Sequence, residues 1–247
     1  MEHTHHHSPE EHHHHEKKED AKFTLSVPAA IIVAGLIIAG AIFATRVPVQ
    51  VGNDVQDGKQ KVSINIKDVS LEGEPYVGKA DATPVAYFSD YQCPFCKKFE
   101  TTEMQEIVSK YVSTGKVRIV FKDFVFLGPD STEAAVFGRA VWKLYPEQYF
   151  AWREAMYAAQ DDEGGIGFGD RESIEELTRA IVGVDQKKVS ADVDANRAAY
   201  EALIKADYDE ALRLGITGTP AVIIGKSVVS GAHLIAEYEK ALDKVVR

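Results

Sequence analysis

The chain has 247 residues, of which 45% are hydrophobic, and a formal net charge of −10 with histidine neutral. That is enough apolar material for one or two domains with a sizeable core. No basic cluster offsets the acidity, which excludes nucleic acid as a partner and leaves the charge to keep the surface soluble.

Residues 1–22 hold eight of the nine histidines among charged and polar residues, with nothing to bury. Such composition predicts a disordered His-rich tail, in which the imidazoles could meet transition metals without forming a defined site. Residues 23–45 carry no charge. About 20 apolar residues suffice to cross a bilayer, so this run predicts one transmembrane anchor. Lys17, Lys18 and Lys22 precede it and only Arg46 lies close on its other side, which places the tail in the cytoplasm and residues 46–247 outside. A cleaved signal peptide, with Ala39-Gly40-Ala41 as its small-x-small site, is the competing expectation. Either one puts residues 46–247 in an oxidising compartment.

Residues 46–74 are polar and read as a linker, with Val62–Ile66 alternating like a short edge strand. Strands are expected at 84–90 and 117–126, and the apolar spacing of Phe99, Met104, Ile107, Val108 and Tyr111 predicts helix between them, giving a parallel βαβ unit. Helical patterns then cover 131–145, 147–160, 171–182, 186–204 and 207–214. Residues 128–211 are thus expected to be a helical insertion between two halves of an α/β domain, 75–127 and 212–247. In the second half, Ala221–Gly225 and Ser227–Val229 flank a Gly225-Lys226 turn, and a last helix is expected over 232–246. Gly164–Gly169 lacks the Lys-Ser/Thr of a phosphate loop and reads as a helix–helix connection. The neighbouring Asp161, Asp162, Glu163 and Asp170 miss the EF-hand spacing.

The only two cysteines, Cys93 and Cys96, stand two residues apart where the first strand gives way to helix. A helix N-terminus offers unpaired N–H groups and partial positive charge, which stabilise a thiolate and lower its pKa. Half a zinc site would need two more ligands, and beyond the tail His233 is the only histidine, so a redox dithiol is expected and no metal.

The run Val77–Pro84, then Phe88-Ser-Asp-Tyr-Gln-Cys-Pro-Phe-Cys96, and Gly215-Ile-Thr-Gly-Thr-Pro220 farther on, resembles the DsbA-like thiol:disulfide oxidoreductases, in particular their membrane-anchored extracytoplasmic members. The resemblance covers about residues 75–247. It implies a thioredoxin-like fold interrupted by an inserted α-helical domain and preceded by one transmembrane helix. By position it makes Cys93 the exposed nucleophile, Cys96 the buried resolving thiol, and Pro94 and Phe95 the dipeptide that tunes them. It also makes Pro220 a cis-proline and gives Thr219 the task of presenting backbone groups to an extended substrate. The implied redox group is the Cys93–Cys96 disulfide itself, with no other cofactor. Implied partners are unfolded or folding cysteine-containing proteins and a quinone-linked membrane reoxidase of the DsbB or VKOR type. Tyr87 stands where some members carry a buried Glu, so Asp90 and Lys122 are the candidates for a proton relay to Cys96. Phe95 supplies no cation or ring N–H to the Cys93 thiolate.

The reaction this implies is disulfide introduction into substrate proteins. A reductase or isomerase uses the same motif, since thiol pairs of this kind span about 150 mV in potential. A copper carrier with a thioredoxin fold and a redox-inert holdase are the alternatives from other classes.

Overall fold

A computed structural model describes residues 64–161 and 168–246. The expected tail, the anchor over 23–45, the 39–41 cleavage site and most of the linker lie outside them. No helix among the described residues is long and apolar enough to cross a membrane.

Five strands form one sheet in the order β1-β3-β2-β4-β5. The central strand β2 (Thr83–Ser89) runs parallel to β3 (Val117–Asp123) from Thr83↔Val117 to Ser89↔Asp123. On its other side it pairs antiparallel with β4 (Ala221–Ile224), which turns at Gly225 and Lys226 into β5 (Ser227–Ser230). Gly225 has φ +59°, the left-handed conformation that glycine enters without strain. The outer edge is β1 (Tyr76–Val77), antiparallel to β3.

Alternation along β2 sends Val85 and Tyr87 to one face and Ala86 and Phe88 to the other, and both faces are buried. The first face packs beneath α1 (Pro94–Thr101), α2 (Glu103–Ile107), which continues as a π-helical turn over Val108–Val112, α4 (Tyr149–Ala159) and α7 (Ile235–Val245). The second packs against Ile64, Val69, Ala211, Leu214 and Ile216. Between the two halves lie α3 (Pro129–Leu144), α4, α5 (Arg171–Ala180) and α6 (Gln186–Arg213).

Several expectations are corrected by the structure. No strand covers Ile64–Ile66; a 3₁₀ turn over Ile66–Asp68 is capped by the Asn65 side chain, and Tyr76–Val77 supplies the sheet edge instead. Residues 64–74 are not a free linker, because Ile64, Val69 and Glu74 are buried against the domain. The strand expected to reach residue 126 ends at Asp123, since the amides of Phe126 and Leu127 turn aside to the Asp90 carboxylate. The two helices expected at 186–204 and 207–214 are one helix of 28 residues, as Lys205 and Ala206 favour helix and nothing there breaks it.

A buried ionic cluster fastens the insertion to the sheet. Arg139 of α3 donates to Glu74 at 2.6 Å and to Asp123 at 2.7 Å, and also binds Asp207 of α6. Lys122 binds Glu74 at 2.9 Å, Asp207, and the Ser70 carbonyl at 3.0 Å, while Glu210 accepts from the Ser70 amide. Removing one partner of such a cluster leaves uncompensated buried charge and costs about 3–5 kcal/mol. Arg139→Met is expected to lower the unfolding free energy, measured by urea titration, by that order. Burial pushes the Asp207 carboxyl up to about 6, against the pull of Arg139. A carboxyl raised on folding lends stability below its unfolded pKa and loses it as pH rises through the folded one. Urea midpoints should therefore contain a component that falls between about pH 4 and about pH 7, and Asp207→Asn should remove it.

Candidate active site

Cys93 is the N-cap of α1, with extended backbone (φ −78°, ψ 118°), and Pro94 comes next as the first helical residue, where its missing N–H leaves no bond unmade. The Cys93 amide donates to the Asp90 carbonyl at 3.1 Å, and its carbonyl accepts from Lys97 at 3.0 Å. The sulfur therefore sits where a serine oxygen would cap a helix. The two cysteines are free thiols.

Their environments drive the two thiols apart. A hydrogen bond from the Cys96 side chain lowers the Cys93 pKa to about 6, helped by Thr219 and by the Cys96 and Phe95 amides, and opposed by burial. Burial pushes the Cys96 thiol well above its ordinary value, and the hydrogen bond to Cys93 and the charge there add to it. Cys96 is fully buried on α1, and its neighbour one turn on, Phe99, lies edge-on to Tyr87 at 5.0 Å.

The expected exposed nucleophile is in fact nearly covered. Cys93 keeps only 4% of its surface, because the loop before β4 lies against it and the thiol donates to the Thr219 carbonyl at 3.4 Å. The Thr219–Pro220 peptide bond is cis. Phe95, by contrast, is 61% exposed. It lines a cavity of about 400 Å³ together with Thr217, Gly218, Thr219, Ser230 and Gly231. The structure thus brings Cys93, Cys96, Phe95 and Thr219 together at one end of the sheet, where β2 stops.

Neither relay candidate is free to reach Cys96. The Asp90 carboxylate is saturated by the amides of Gln92, Phe126 and Leu127 and by the Ser131 hydroxyl, which closes the loop beneath the site. Lys122 points away from it in register, side by side with Phe88 rather than Tyr87, and its ammonium is held by Glu74 and Asp207.

The structure supplies a group that the sequence did not single out. Arg153 of α4 is fully buried beneath the dithiol, its guanidinium 4.2 Å from the centre of the Phe121 ring and 5.2, 5.1 and 5.0 Å from those of Tyr87, Tyr91 and Tyr157. It donates to Glu100 at 2.7 Å, Ser89 at 2.7 Å and the Tyr91 hydroxyl at 3.2 Å. Gly138 of α3 stands over this region, where a Cβ would meet the Tyr91 hydroxyl at 3.0 Å. A signal is present in the residues: Arg153 interrupts an apolar stripe of Tyr149, Trp152, Met156 and Tyr157, and Glu100 lies one helical turn after Cys96. His233, the remaining histidine, meets the Ser230 carbonyl at 2.8 Å. Among the described residues no group of His, Cys, Asp and Glu could hold a metal ion.

A family model described as thioredoxin matches residues 70–244. The chain belongs to this thioredoxin family. Disulfide bond formation protein D of Bacillus subtilis is 24% identical over 204 residues, covering 79% of this chain and 83% of the relative. A probable disulfide bond formation protein D of Bacillus anthracis is 26% identical over 222 residues, 86% of this chain and 97% of the relative. Among solved structures, oxidised BdbD of Bacillus subtilis superposes with a TM-score of 0.66 at 24% identity, over 72% of this chain and 95% of that one. The thiol-disulfide exchange protein alpha-DsbA2 of Wolbachia pipientis gives 0.63 at 26% identity, over 72% and 90%. The thioredoxin-like sheet with a helical insertion is common ground with these DsbA-like structures.

The split in acidity makes a direct prediction. Iodoacetamide is expected to alkylate Cys93 of the reduced chain with a half-maximal rate near pH 6, where an ordinary thiol would need about pH 8.5. Cys96 should stay unmodified across that range.

Proposed function

We infer that this chain is a protein thiol:disulfide oxidoreductase that introduces disulfides into cysteine-containing proteins through Cys93 and Cys96. The observation that carries the reading is the placement of the two thiols at the start of α1. Cys93 is the helix N-cap against the cis Thr219–Pro220 loop and Cys96 is fully buried behind it, which lowers the first thiol to about 6 and raises the second. In the oxidised pair, a substrate thiolate attacks the Cys93 sulfur and the bond to Cys96 breaks, leaving a mixed disulfide. A second substrate thiolate then attacks the substrate sulfur, and Cys93 departs as a thiolate. A low pKa makes Cys93 a good leaving group and the pair a stronger oxidant. The name carried by the relatives, disulfide bond formation protein D, agrees with this direction.

Pro94 starts the helix whose amides stabilise Cys93, and Phe95 forms the apolar wall of the adjoining cavity. Thr219 and Pro220 offer the backbone edge beside the sulfur, where an extended substrate segment would lie. The disulfide is the only redox group the reaction needs. The uncharged run over 23–45 would hold the domain at the outer face of the cell membrane, N-terminus inside, beside a quinone-linked reoxidase of the DsbB or VKOR type.

Equilibration of the chain with glutathione tests the direction of the reaction. A potential well above that of thioredoxin, towards about −120 mV, is expected for an oxidase, and a value near about −270 mV would overturn it. Phe95→His, which places a ring N–H beside the Cys93 thiolate, should lower its pKa below about 6 and make the pair more oxidising.

A further inference from the structure

One cation on the sheet face that carries the ionic cluster has no carboxylate. Tyr76 of β1 stands opposite Val120 of β3, and alternation along β3 puts Arg118, Val120 and Lys122 on the same side as Tyr76. Lys122 is held by Glu74, Asp207 and Glu210, and the second oxygen of Glu74 goes to Arg139. Arg118 shares in none of these. Among the described residues the only partner of its side chain is a ring: the guanidinium carbon lies 5.3 Å from the centre of Tyr76. Its Nε is buried and has no hydrogen-bond acceptor. A buried donor left unpaired is costly and calls for an explanation.

There is room for a ligand beside it. Arg118 lines a cavity of about 400 Å³ together with Leu71, Tyr76 and Trp142 of α3. Tyr76 and Trp142 meet edge to face at 5.1 Å, and with Pro146 and Phe150 they line a second cavity of about 380 Å³. Small-molecule sites begin at about this size. Of the carboxylates in these walls, Glu74 is already neutralised by Lys122 and Arg139, while Glu72 and Glu147 are exposed. The place is remote from the dithiol: Arg118 pairs in register with Pro84 near the start of β2, and Cys93 follows the end of that strand.

We propose that Arg118, Tyr76 and Trp142 form a second binding site, apart from the dithiol, for a carboxylate borne on a flat apolar group. That is the chemistry of an aromatic acid or of an aromatic residue at the C-terminus of a peptide. A guanidinium fork matches a carboxylate with two parallel N–H···O bonds, and the unpaired Nε supplies one of them. The Tyr76 and Trp142 rings take the flat body by offset and edge-on contact. Arg118 already lies over Tyr76, so little side-chain freedom is lost when the ligand arrives. Glu72 and Glu147 add selectivity by charge: they repel a dianionic phosphate more strongly than a single carboxylate.

Calorimetric titration of the full chain with N-acetylphenylalanine tests the site, with N-acetylphenylalaninamide, acetate and phenyl phosphate as comparisons. A ligand of about 15 heavy atoms at ordinary efficiency per atom reaches a Kd of about 1 mM. Charge-assisted bonds to a guanidinium are worth about ten-fold or more, so the amide is expected to bind at least about ten-fold more weakly than the acid. Acetate, which lacks the apolar body, should be weaker too. Arg118→Gln is expected to lose the same factor, and Arg118→Lys, which keeps the charge without the fork, to recover part of it. Both variants should keep the Cys93 alkylation midpoint near pH 6, the sign of an intact domain. Equal binding of acid and amide by the unaltered chain overturns the proposal, whether or not the variants fold. Unchanged affinity in Arg118→Gln, tighter binding of phenyl phosphate, or no binding of the acid at about 10 mM also overturns it. If the acid binds as expected, a peptide ending in phenylalanine that binds about ten-fold more tightly assigns the site to a polypeptide terminus, and equal affinity assigns it to a free acid.

Discussion

Two buried guanidinium groups hold this molecule together. Arg139 and Arg153 both come from the helical insertion, and both bind groups of the thioredoxin-like half and its flanks. A buried cation without partners is prohibitively costly, so these pairings dictate where the insertion docks. Arg139 gathers Glu74, Asp123 and Asp207 at the end of β3, tying the segment before β1 and the long helix α6 to the sheet. Arg153 reaches under the dithiol and touches the strand, the loop and the helix that define it.

The active-site loop depends on the same principle of satisfied polar groups. Asp90 has no exposed surface and gathers four donors, two of them amides of the strand-to-helix connection after β3. Its carbonyl meanwhile accepts from the Cys93 amide and the Tyr157 hydroxyl. One aspartate thus sets the geometry of Cys93 from below and draws β3's exit towards it. The thiol chemistry stems from that placement, because only a sulfur at the helix cap receives the Phe95 and Cys96 amides.

Much of this is legible in the residues. Period-two and period-3.6 patterns place β2, β3, the β4–β5 hairpin and most helices within a few residues, because each buries one well-marked face. The Cys93–Cys96 pair at a strand-to-helix junction names the chemistry, and the family resemblance adds the loop at Thr219–Pro220. The elements that escape are those whose cause is non-local. Tyr76–Val77 is too short to show a pattern, and its place at the sheet edge comes from pairing with β3. The end of β3 is decided by Asp90, 36 residues before Phe126. Asp90 and Lys122 look available as single charges, and only the fold reveals the donors and carboxylates that occupy them. Arg153 and Glu100 are hidden for the converse reason: charged residues on apolar stripes read as exposed until their partners in distant elements are known.

The reach of Arg153 also bears on how this activity could be moved or made. The four residues Cys93–Cys96 are short enough to transplant onto a plain thioredoxin scaffold, but the cation beneath them arrives on a helix that such a scaffold lacks. A graft of the motif would carry the sulfurs without Arg153, and one extended to Glu100 would leave that carboxylate buried without its counter-charge. The unit of inheritance for this site is therefore not the motif but the motif together with α4, which gives the helical insertion a reason to persist apart from any contact with substrate.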